Sequence, residues 1–136
     1  MVTKTLPVAA FLAAVFSNGF AAEAGTCPVT ESDIEKAGSY VDAVNAAVRS
    51  GSDCERAFKT FENCQLGSTA DNALASIVQA KCETLFINKA RAAVKQAYKR
   101  TQERCNKIAK RNSGTMYQSF AAVCLARAAR DFARKY

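Results

Sequence analysis

Residues 105–124 read CNKIAKRNSGTMYQSFAAVC, a turn-forming Asn112-Ser113-Gly114 between two apolar-periodic flanks with a cysteine at each outer end. Asn and Ser bond their own backbone and Gly tolerates positive φ, so these three residues favour a tight turn. Before the turn, Ala90, Val94, Ala97, Tyr98, Cys105 and Ile108 recur at helical spacing, which predicts a helix from about Lys89 to Arg111. After it, Tyr117, Phe120, Cys124, Ala128 and Phe132 mark the inward face of a second helix beginning at Thr115. Antiparallel helices joined at a turn bring together residues equally far from it. Cys105 and Cys124 stand nine and ten residues from Gly114, and are therefore expected to pair.

Working toward the N terminus, the pattern stays helical and no run alternates apolar with polar as a strand requires. Thr30 or Ser32 can cap a helix over Glu31 to Ser50, with Ile34, Ala37, Val41, Val44 and Val48 on one stripe and Gly51 as its stop. Ser52 with Glu55 reads as a capping box for a short helix burying Cys54, Ala57, Phe58, Phe61 and Cys64, which Gly67 ends. Ser68 with Asp71 opens a further helix, whose face is Leu74, Ile77, Val78, Cys82, Leu85 and Phe86. No Gly or Pro interrupts residues 68–113, and the expected break falls at Ile87-Asn88. The fold class is thus all-α, a small bundle of four to five helices stapled by three disulfides.

The first 24 residues have the three parts of a secretory signal: a start bearing Lys4, the apolar run Leu6 to Phe16, and the small-residue segment Ala22-Glu23-Ala24. That apolar run is shorter than the roughly 20 residues a bilayer-spanning helix needs. A cleaved signal over 1–24, one domain over 25–136 and a secreted or periplasmic location are expected. Six cysteines in a short exported chain imply disulfides, because an oxidising compartment pairs its thiols. A metal site is not expected: there is no histidine and no Cys-x-x-Cys, the gaps between successive cysteines being 26, 9, 17, 22 and 18 residues. No cofactor is expected either.

Turn symmetry extends to the other cysteines. Cys54 and Cys82 are nearly equidistant from Gly67-Ser68, which leaves Cys27 to reach Cys64. Cys54 and Cys64 lie about 15 Å apart if their helix is unbroken, beyond the roughly 7 Å a disulfide tolerates. Direct pairing of those two requires the segment to open with a loop.

Residues 54–134 resemble the bacterial LprI-type lysozyme-inhibitor-like domain family. The elements that carry the resemblance are Cys54, Glu62, Cys64, Leu74, Tyr98, Arg100, Cys105, Gly114-Thr115-Met116, Cys124-Leu125 and Arg130. Departures are Tyr98 where the family often has Trp, Ala129-Arg130 where Thr-Arg is usual, and the added Cys27 and Cys82. The resemblance implies a lysozyme-like hydrolase as protein partner. It also implies the other pairing, Cys54 with Cys64 and Cys27 with Cys82. Both schemes share Cys105 with Cys124.

The charge of +7 is divided unevenly. Residues 25–83 hold five basic and nine acidic side chains, residues 84–136 thirteen basic and two acidic. Lys89, Arg91, Lys95, Lys99, Arg100, Arg104, Lys107, Lys110 and Arg111 crowd the helix before Gly114, and Arg127, Arg130, Arg134 and Lys135 follow on the last. Lys99, Arg100, Arg104, Lys107, Lys110 and Arg111 are the candidate site for an anionic partner, such as an envelope polymer or a lipid surface. Nucleic acid is disfavoured by export and by the lack of any reader motif. Burying the fourth helix in a membrane is disfavoured because its apolar stripe is needed against its neighbours. A basic protein also meets an electrostatic penalty on approaching a basic lysozyme. Acidic residues at helix starts are explained by capping, and no catalytic residues are assigned. A binding role, not an enzyme, is the expectation.

Overall fold

A computed structural model describes residues 25–136; the expected signal over 1–24 lies outside the described residues. Six helices follow in order: α1 Glu31–Ala37, α2 Tyr40–Ser50, α3 Cys54–Asn63, α4 Asp71–Glu83, α5 Ala92–Arg111 and α6 Thr115–Lys135. There are no strands among the described residues.

Local chemistry explains most helix ends. The Thr30 side chain accepts from the Asp33 amide while the Asp33 carboxylate takes the Thr30 amide, a complete capping box for α1. The predicted single helix over 31–50 is broken at Gly38, whose φ of 88° closes α1 in the left-handed region. Ser39 then caps α2 by accepting from the Asp42 amide. Asp53, not Ser52, caps α3 through the Arg56 amide, and Ser52 hydrogen-bonds the Asp53 carboxylate instead. Helix α4 starts at Asp71 with no side-chain cap, so the expected Ser68–Asp71 box does not form there. The break near Ile87-Asn88 is present but wider than expected, since α4 stops at Glu83 and α5 starts at Ala92.

Helix α6 is the hub. It packs against α4 on one side and α5 on the other and touches α3, while α3, α2 and α1 follow one another outward. Its buried residues are Ser119, Ala121, Ala122, Val123, Ala126, Ala128 and Ala129, and small side chains let neighbouring helices come close. Between the helices lie Val44, Val48, Phe58, Phe61, Leu74, Val78 and Phe86, all under 2% exposed. Each contributes about 1.5–3 kcal/mol by leaving water. Phe86, in the turn after α4, meets Tyr98 edge to face at 5.1 Å and Phe132 at 5.9 Å, pinning that turn to α5 and α6.

Three disulfides form: Cys27–Cys64, Cys54–Cys82 and Cys105–Cys124, with Cα separations of 4.8, 4.7 and 5.4 Å. Turn symmetry therefore assigns Cys105–Cys124 and Cys54–Cys82, and the remaining pair, Cys27–Cys64, follows by elimination. The pairing implied by the family resemblance, Cys54 with Cys64 and Cys27 with Cys82, is corrected. Cys54 is the first residue of α3 and Cys64 its C-cap, and the unbroken helix holds them apart. Three inward assignments are also corrected: Val41, Leu85 and Phe120 are 40%, 50% and 47% exposed.

Candidate functional site

Helix α5 is the least buried long element. Only Tyr98 and Cys105 among its 20 residues are buried, and α6 is the one helix it packs along. Two side-chain links supplement that contact. The Cys105–Cys124 disulfide joins the middle of α5 to α6, and the Tyr98 hydroxyl donates a 2.7 Å hydrogen bond to Glu83 at the end of α4. Burial pushes the Tyr98 phenol well above its ordinary ionisation range, and the Glu83 carboxylate pushes it further.

The outer surface of this helix carries Lys95, Lys99, Arg100, Arg104, Lys107, Lys110 and Arg111 against a single acid, Glu103. All seven are exposed. Arg100, Arg104, Lys107 and Arg111 follow one another at intervals of four, three and four, so they form a stripe on one face, about 16 Å long at 1.5 Å per residue. Arg104, Lys107 and Arg111 border one shallow depression with Ile108 and Asn112. Lys95, Lys99 and Lys110 lie on the other flank of α5. The six candidate residues therefore share a helix but divide between two faces, four on the stripe and two beside it.

Pairing separates α5 from α6. Arg127 bonds Glu62 at 2.8 Å, Arg130 bonds Asp131 at 2.7 Å and lies over the Phe58 ring, and Arg134 bonds Glu55. The cations expected to extend the site from the last helix are thus mostly joined to acids, two of them on α3. No cation of α5 has an ion-pair partner among the described residues; Arg104 donates only to the Thr101 hydroxyl, at 2.9 Å. Lys95 with Lys99, Arg100 with Arg104 and Lys107 with Arg111 are like charges four apart, an arrangement that disfavours the helix they sit on.

No family model, curated protein or solved structure matches the chain. The acidic groups nearest helix starts are engaged locally: Asp33 with Thr30, Asp42 with Ser39 and Asp53 with Ser52 and the Arg56 amide. These contacts hold the Asp33 and Asp53 carboxyls below the usual carboxylate range.

The sequence reading overlooked an apolar feature on the same hairpin. Met116 and Phe120 are 51% and 47% exposed, one turn apart on α6. Phe120, placed inward by periodicity, shares an open groove with Ile108, Val123 and Arg127. Helical spacing alone gives no outward signal for it, because Tyr117, Phe120 and Cys124 fit a single stripe as well as two.

Proposed function

We propose that this is an exported, non-enzymatic binding protein that engages an anionic partner of the cell envelope along α5. The observation that carries the reading is the contrast between the two C-terminal helices. Arginines of α6 are matched to acids, whereas seven cations of α5 stand exposed and, among the described residues, without ion pairs. Packing does not call for them, and their mutual repulsion disfavours the helix. An anionic partner supplies the missing counter-charge and raises both affinity and encounter rate. The disulfide fixes the helix that presents them, so little ordering is required on binding.

Retention of the oxidised protein on anionic supports of increasing salt tests the reading. The quadruple variant R100Q/R104Q/K107Q/R111Q is expected to elute at much lower salt than the wild type. The R127Q/R134Q protein should move far less, because exposed ion pairs already balance those charges. Equal retention of the quadruple variant and wild type refutes the site. A slowing of cell-wall lysis when micromolar protein is added to a lysozyme, unaffected by the quadruple change, favours an inhibitor of the kind the resemblance implies.

A further inference from the structure

We infer that the tip of the α5–α6 hairpin docks on an anionic lipid surface, Met116 and Phe120 entering the headgroup boundary while Arg104, Lys107 and Arg111 hold lipid phosphates. This rests on the polyanion reading above and names the anion.

A soluble polyanion accounts for the cations alone. It offers nothing to two large apolar side chains of the same hairpin that are about half exposed, Met116 and Phe120. Ile108 shows that the two features share one side of the hairpin, since it borders both the groove holding Phe120 and Val123 and the depression holding Arg104, Lys107 and Arg111. Tyr117 meets Phe120 edge to face, with centroids 6.1 Å apart, and so steadies the outward ring. From Asn106 to Arg130 the sequence contains no Asp or Glu, and Asp131, which lines the groove holding Phe120, is paired with Arg130. Apolar side chains flanked by Lys and Arg on one face are what a peripheral lipid-binding surface requires. No described helix is long and apolar enough to cross a membrane, and shallow docking needs none. The apolar stripe of α5 stays against α6, because the apolar contribution comes from the exposed face of α6.

The test uses oxidised protein recovered from the exported fraction, its N terminus read by mass spectrometry. Vesicles of equal parts phosphatidylglycerol and phosphatidylcholine should sediment it, and vesicles of phosphatidylcholine alone should not. Each cation near the surface contributes about fivefold in affinity, and each apolar side chain about tenfold. The M116S/F120S protein should therefore bind anionic vesicles at least tenfold more weakly while keeping wild-type elution from an anionic resin. Both substitutions are at exposed positions, and circular dichroism checks that the helices persist. Because the chain has no tryptophan, F120W provides a single reporter. Its emission should shift to the blue with anionic vesicles and stay unmoved with a soluble polyanion. Vesicle binding unchanged by M116S/F120S, or an unmoved F120W signal on sedimented vesicles, overturns lipid docking and leaves a polymer as partner. Loss of resin retention as well overturns the charge reading itself.

Discussion

The Ser119 hydroxyl on α6 donates a 2.5 Å hydrogen bond to the carboxylate of Asp71 at the start of α4, joining residues 48 apart in sequence at a fully buried point. The same carboxylate accepts from the amides of Leu66 and Gly67, each at 2.9 Å. One side chain thus organises the α3–α4 loop and fastens it to the central helix. A buried carboxylate without a cation is tolerable because three donors replace its water.

Asp71→Ala should destabilise the protein by about 3 kcal/mol, since it orphans two amides and a hydroxyl. Ser119→Ala should cost only about 1 kcal/mol, because Asp71 retains both amides. Denaturant midpoints of the two variants measure the difference. Equal losses contradict the organising role of the carboxylate.

Loss of the Cys105–Cys124 bridge should affect α5 selectively. Replacing both cysteines by alanine is expected to cost about 3 kcal/mol in the chain-entropy account. Amide exchange should accelerate over residues 92–111 more than over α3 and α4, because α6 is the only described helix along which α5 packs. Uniform acceleration across the bundle runs against this.

Alkaline pH should weaken the fold through Tyr98. In the unfolded chain the phenol ionises near pH 10, whereas the folded protein holds its proton to higher pH. The contribution is therefore full below about pH 10 and is lost as pH rises beyond it, because the unfolded chain then releases the proton first. Chemical denaturation at about pH 9 and about pH 11 should show a smaller decline for Tyr98→Phe than for the wild type. An identical decline in the two proteins would count against it.

At low pH, the carboxyls of Asp33 and Asp53 set the opposite trend. Both ionise below their unfolded value of 3.8, so the stability they confer is present above that value and is lost as pH falls through it into the lower folded range. Asp53→Asn keeps a capping oxygen but cannot titrate, and should flatten the acid limb of a stability profile. A limb as steep as that of the wild type contradicts the assignment.

Two disulfides are legible because their cysteines mirror about turns that Gly67-Ser68 and Gly114 announce, and the third is the pair left over. Gly38 was not read as a break because Ile34, Ala37, Val41, Val44 and Val48 keep helical spacing across it. Gly38-Ser39 followed by Asp42 nevertheless carries the same signal as Gly51-Ser52 followed by Glu55, and a stripe can run through two helices that bend. The local pattern marks Asp71 as a capping partner, whereas its contacts come from the loop before it and from Ser119, which no local pattern reveals. Phe120 turns outward because its neighbours Ser119, Ala121, Ala122 and Val123 take the buried positions on that stretch of α6. Which cations are paired was equally hidden, since Glu55 and Glu62 lie 79 and 65 residues from their arginines.

The proposed binding of an anionic partner by the α5 stripe is tested by the salt dependence of affinity for a defined polyanion, measured for wild type and R100Q/R104Q/K107Q/R111Q. Each cation that neutralises the partner releases counterions, so log affinity against log salt should fall steeply for the wild type and less steeply, by a slope on the order of 3, for the variant. Parallel lines for the two proteins would contradict it.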